Sequence, residues 1–263
     1  MSTTSPMPYD VSAVPDCEAG HAACVPLTGD LVLPVRWIPP GTFEMGGPAA
    51  ELNRGGQELP HWVTLTCGFW MAETPCTQAQ WQSVMDSNPS HFHGATLPVE
   101  SVTWEEACQF CRRLSEMPLP SSLGVPGFEW RLPTEAEWEY ACRAGSSATV
   151  VESLGDIAWF RENAGHMTRP VGGKAANAWG LKDMQGNVWE WCRDWFGPYP
   201  YGPVVDPIGP ASGHYRVDRG GCWSNDEWFC RPTFRCGIAP ATRTNRLGFR
   251  PVLGMSAQVT SIA

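Results

Sequence analysis

The chain of 263 residues has no apolar run approaching the length of a membrane span, so no membrane partner is expected. It has no basic surplus: the formal charge is −9 and the pI about 5.1, which argues against a polyanion-binding surface and excludes nucleic acid as the expected partner. The first twenty residues lack both a basic start and a hydrophobic stretch, so no signal peptide is expected, and the expected compartment is the cytoplasm, in a bacterium. No repeat of fixed period, no Ser–His–Asp order and no phosphate-cradling glycine loop is present. What is abundant is cysteine, eleven in all, an odd number that cannot all pair. Without an export route the thiols are expected mostly as small buried hydrophobes.

Fourteen tryptophans, 27 glycines and 25 prolines form the second signature. Gly and Pro punctuate the chain too often for long helices, while each buried Trp removes a large apolar area from water. A loop-rich α+β domain pinned by aromatic anchors is the expectation, with helices early, strands late and one layered core. Residues 1–34, rich in Ser, Pro and Ala, are expected as a flexible or loosely packed arm. Residues 35–255 are expected as the domain and 256–263 as a tail.

Arg36–Gly47 reads as strand, Pro-Pro-Gly turn and strand, and 61–72 as a further strand. Thr77, Thr103 and Thr134 are candidate N-caps, the last two with Glu106 and Glu137 placed for capping boxes. Residues 180–196 read as a strand or hairpin with a tight loop at Gln185-Gly186-Asn187.

Chemistry concentrates between Arg216 and Arg250, where Cys222, Cys230 and Cys236 lie among aromatics and arginines after the Gly220-Gly221 turn. Cys108 and Cys111 fall on a predicted helix facing the core, and without a second pair they make no zinc site. Cys17, His21 and Cys24 lie in the arm, and His91 and His93 on a surface loop with no third ligand in view. Trp104, Trp130, Trp138, Trp189 and Trp191 are expected as core or cleft walls.

Four blocks carry a family resemblance: IPPGTFEMGG (38–47); LPVESVTWEEACQFCRRLSE with RLPTEAEWEYACRAG; NAWGLKDMQGNVWEWCRDW (177–195); and RVDRGGCW…RTNRLGFR. In this order, from about Arg36 to Leu253, they resemble the formylglycine-generating enzymes, or sulfatase-modifying factors. The resemblance implies a single loop-rich relative of the C-type lectin fold. Its catalytic members oxidise a sulfatase cysteine with O2 and copper held by two thiolates, in a motif resembling GGS-x2-C-x4-C. Other members are binding or accessory modules, including variable proteins that use the same C-terminal loop for display.

On that motif the second cysteine falls on Cys230, the first on Asn225, and the serine on Cys222. An amide is a poor soft ligand, so the copper site is broken as the family builds it. The first expectation is therefore a non-catalytic module whose 222–246 loops hold a peptide or protein, with Trp223, Asn225, Trp228, Phe229, Arg231 and Arg235 as contact residues. The alternative is a copper- and O2-dependent oxidase of a protein cysteine or small thiol, with Cys230 and Cys222 as the catalytic pair. The resemblance also implies a structural Ca2+ at Asp183, Gly186, Val188 and Glu190, where carboxylates and backbone carbonyls offer oxygen ligands. The family's other calcium site would begin at Asn163 and Ala164, where the loop supplying its Asp is shortened.

Overall fold

A computed structural model describes residues 17–123, 126–147 and 153–256. Three sheets surround two main apolar clusters. The first sheet has the order β1 (Ala22–Pro26), β2 (Val32–Ile38), β5 (Phe69–Ala72), β12 (Val252–Met255) and β6 (Phe128–Arg131), with antiparallel neighbours throughout. Its partner β3 (Gly41–Met45), β4 (His61–Leu65) and β8 (Val204–Val205) form a small three-stranded sheet. The third sheet, β10 (Arg235–Ile238), β9 (Arg216–Arg219), β7 (Trp189–Trp195) and β11 (Leu247–Gly248), carries the segment richest in chemistry.

The helices start where their caps predict. Thr77, Thr103 and Thr134 each accept from the backbone N–H three residues on, and Gln80, Glu106 and Glu137 return the bond, closing three capping boxes. They open α1 (Gln78–Met85), α2 (Trp104–Ser115) and α3 (Glu135–Arg143). A short α4 covers Leu154–Ile157. On α2 the apolar positions Ala107, Phe110, Cys111 and Leu114 share the buried face, as their spacing requires.

Three expectations are corrected. Within the stretch expected as a loose arm, residues 22–34 form β1 and the start of β2, paired from Ala22 opposite Arg36 to Pro26 opposite Val32. Val25, Leu33 and Val35 on this hairpin are buried, which ties it to the core; residues 1–16 lie outside the described residues. The single strand expected over 61–72 is two, β4 and β5, separated at Gly68, where a Cβ would meet the Trp37 ring at 2.4 Å. Helices do not come first with strands late: among the described residues five strands precede α1, more than those read at Arg36–Gly47 and 61–72. The tail expected at 256–263 lies outside the described residues beyond Ser256.

Candidate functional site

Strand β9 delivers the chain to Gly220 and Gly221, both at positive φ (98° and 75°). At Gly221 a Cβ would lie 2.7 Å from Cys230 Sγ and 3.0 Å from the Phe229 carbonyl, so only glycine allows this approach. The turn thereby brings the Cys222 segment against the short 3-10 turn Glu227–Cys230.

Asn225 is a partner of Cys222, not an open ligand. Its Oδ1 accepts from the Cys222 N–H at 3.1 Å and from the thiol at 2.9 Å, while the Asn225 N–H returns to the Cys222 carbonyl at 3.0 Å. Ser224 Oγ lies 3.3 Å from the same sulfur. Cys222 is fully buried, and burial pushes its thiol pKa up.

Cys230 is also fully buried, packed with Ala158 and Phe160. Burial drives its thiol far above the ordinary range, and a charge on Cys222 or Glu227 would push it further in the same direction. Reactive and ligating thiols need a nearby cation or a helix N-terminus to hold the thiolate. Cys230 has the opposite surroundings, and at Cys222 burial outweighs the bonds of Ser224 and Asn225 and the charge of Arg246. All eleven cysteines are free thiols. The residues at the copper position, one amide and two neutral buried thiols, do not fit a two-thiolate copper site.

The expected contact residues divide into two groups. Trp228 and Phe229 are half-buried and stacked, with ring centroids 3.5 Å apart, and Phe234 stands edge-on to Phe229 at 5.1 Å. Trp223 is held more firmly: its Nε1 donates to the Asn245 carbonyl at 2.9 Å, Phe92 meets its ring edge-on and Arg246 lies over it. Trp228, Phe229 and Phe234 form one connected cluster with Trp189 behind it.

Arg231 and Arg235 are not surface contact residues. Arg231 is buried and pairs with Glu51 and Glu58, each at 3.0 Å, and its Nη2 donates to the Asn53 carbonyl at 2.9 Å. Arg235 pairs with Glu135 through Nη2 at 2.5 Å and Nε at 2.7 Å, with Tyr199 and Phe196 against its guanidinium. Their carboxylate partners lie 100 to 180 residues away in sequence, which no local pattern announces.

The calcium position is likewise occupied by internal bonds. Glu190 accepts from Trp138 Nε1 at 2.7 Å and from Arg250 Nη2 at 2.8 Å and Nε at 3.0 Å. Asp183 Oδ2 accepts from the Gly172 N–H at 2.6 Å, leaving Oδ1 buried with no partner among the described residues. Burial raises the Asp183 pKa to about 6. A calcium ion takes six to eight oxygens. Here Glu190 already holds a guanidinium and Asp183 offers a single unpartnered oxygen, so such a shell would rest on Asp183 Oδ1 and the backbone carbonyls of Gly186 and Val188. No group of three His, Cys, Asp or Glu side chains able to hold a metal is found among the described residues. His91 and His93 belong to no such group, and His91 instead packs edge-on against Phe92.

Comparison with known proteins agrees with the architecture. The family model described as a sulfatase-modifying factor enzyme 1-like domain matches residues 33–254. The formylglycine-generating enzyme of Streptomyces coelicolor is 30% identical over 92% of this chain and 77% of its own. A protein named chaperone LppX, from Paenibacillus barcinonensis, is 32% identical over 61% of this chain and 71% of its own. Among solved structures, Treponema denticola variable protein 1 superposes with a TM-score of 0.77 at 31% identity, covering 87% of this chain and 98% of that one. PvdO from Pseudomonas aeruginosa shares the fold, with a TM-score of 0.77 at 24% identity over 91% of this chain and 100% of that one. With four sequence blocks in order, three sheets and a domain match over nearly its whole length, the chain belongs to the formylglycine-generating-enzyme (sulfatase-modifying factor) family.

Proposed function

We propose that this protein is a non-catalytic binding or accessory module of its family, holding a peptide or protein against the aromatic surface of its 222–246 loops. One observation carries the reading: the amide of Asn225 stands where catalytic members resemble a thiol, and it is spent on the neutral thiol of Cys222. Nothing beside Cys230 stabilises a thiolate, and at Cys222 burial outweighs the bonds of Ser224 and Asn225 and the charge of Arg246. Trp228, Phe229 and Phe234 then offer what a binding surface uses: large, rigid, partly exposed rings set on a turn locked by internal bonds. Relatives named as a chaperone and as a variable protein are in keeping with such a role.

The oxidase reading keeps one supporting observation, the proximity of Cys222 and Cys230 across Gly221. Cu(I) titration together with O2 uptake on a cysteine-containing peptide separates the two. The module binds no stoichiometric thiol-dependent copper and consumes no O2. Copper binding that disappears in Cys230→Ser would establish the oxidase instead.

A further inference from the structure

At the far end of β9 from the glycine turn, five residues or roughly 17 Å of extended chain away, Arg216 lies in an open groove of about 440 Å³. Its guanidinium is sandwiched between two indoles, 3.8 Å from the Trp104 ring centroid and 3.5 Å from that of Trp195. The surroundings are built to hold this arrangement. A register shift in the pairing of β7 with β9, between Trp191 and Trp195, sets Trp195 directly opposite Arg216. Trp104 is anchored by Nε1 to the Cys192 carbonyl at 2.9 Å and by its own N–H to the Pro240 carbonyl at 3.0 Å. Pro240 and Ala241 complete the wall.

The charge balance is what sets Arg216 apart. The buried arginines described above, Arg231, Arg235 and Arg250, each hold a carboxylate, whereas Arg216 is half-buried. Arg216 has no carboxylate in ion-pair range among the described residues; Nη1 donates to the Arg193 carbonyl at 2.5 Å, and Nε is buried with no partner among them. Partial burial lowers the pKa of this guanidinium, and the more distant charges of Asp194 and Glu105, neither paired with it, do not offset it. The acids at the lip are already committed: Glu105 pairs with Arg112 at 2.6 Å, and Glu106 with Arg243 at 2.5 Å.

We propose that the Trp104–Arg216–Trp195 groove is a second binding site, which takes the side-chain carboxylate of an acidic residue in an extended peptide. With both faces covered by indoles, the guanidinium is reached only in its own plane. A carboxylate can reach the guanidinium through Nη2, the nitrogen not spent on Arg193 or buried, and the carbon chain behind it lies against Trp and Pro. Phosphate can accept from the same donor, so the choice of a side-chain carboxylate rests on the apolar Trp and Pro walls that its carbon chain would cover. The site does not depend on what the Trp228–Phe234 surface binds.

The test uses the full 15N-labelled protein and the blocked peptide acetyl-Pro-Glu-Leu-amide, followed through the Arg216 Nε–H resonance. That resonance is assigned by its loss in Arg216→Lys. Saturable movement of the peak is expected, with binding weakened about tenfold or more for the glutamine peptide, since a charge-assisted bond is replaced by a neutral one. Ala241→Glu, an exposed change at the lip, is expected to abolish the movement while leaving the backbone amide spectrum otherwise unchanged. No movement at millimolar peptide, equal binding of the glutamine peptide, or equal movement with inorganic phosphate would overturn the proposal. The sandwich would then be a structural strut alone.

Discussion

Arg231→Met tests most sharply whether the arginines of the C-terminal segment face a ligand or the interior. The guanidinium sits between Glu51 and Glu58, whose side chains are 0% and 3% exposed, and it also bonds Thr233 Oγ1 at 2.8 Å and the carbonyls of Asn53 and Trp228. Methionine fills much of the volume but leaves two buried carboxylates facing each other without a counter-ion. Breaking a buried pair by removing one partner costs about 3–5 kcal/mol, a large part of the roughly 5–15 kcal/mol that stabilises a typical domain. For a domain of this size that is a fall in Tm of roughly 6–20 °C. Calorimetry or urea unfolding followed by tryptophan fluorescence reads it directly. Converting Glu51 and Glu58 to Gln in the same chain should recover much of the loss, since the uncompensated charges go with the cation. A loss under about 1 kcal/mol in Arg231→Met would refute the reasoning and return Arg231 to the surface.

Three further outcomes are expected. Burial raises Asp194 and Asp218 to about 7, with Glu135's charge adding at Asp194, so the native state holds protons that the unfolded chain has released. Stability is then fullest below the unfolded value near 3.8 and is lost as pH rises through about 7, with a slope near 1.4 kcal/mol per pH unit for each group. Glu137 and Glu139 are held low despite burial by Arg131 and Arg219 and act only at more acid pH, so Tm should fall from pH 5 to 8 and Asp218→Asn should flatten the slope. Gly221→Ala places a methyl group 2.7 Å from Cys230 Sγ at a φ of +75° and should cost at least about 2 kcal/mol in urea unfolding; a neutral effect would mean that the turn is looser than described. EDTA should leave the Tm within about 1 °C, because a ligand of the native state must raise it and Glu190 is already bonded to Arg250 and Trp138; a drop of several degrees would restore the calcium site.

The parts of this fold legible in the sequence are those written locally. Thr77, Thr103 and Thr134 announce their helices because a cap and its returning Gln or Glu lie three residues apart. The turn at Gln185-Gly186-Asn187 is equally local, with Gly186 and Asn187 both at positive φ before β7 begins at Trp189. The first hairpin was obscured by its Ser-, Pro- and Ala-rich neighbours, although Val25, Leu33 and Val35 carry its buried side. The site was legible only in part. Asn225 in place of a thiol is visible in the motif, but its bond to Cys222 is not. Arg231, Arg235 and Glu190 look like surface or ligand groups until the fold brings them to partners far away in the chain, Glu51 and Glu58, Glu135, and Arg250.

The central claim is that the cysteines behind Gly220-Gly221 are structural and that the loops around them bind. Anaerobic Cu(I) titration of the reduced protein against a competing chelator tests it most directly. The account predicts no stoichiometric, thiol-dependent copper binding in the native protein. One tightly bound copper per chain, lost in both Cys222→Ser and Cys230→Ser with the fold intact, would contradict it.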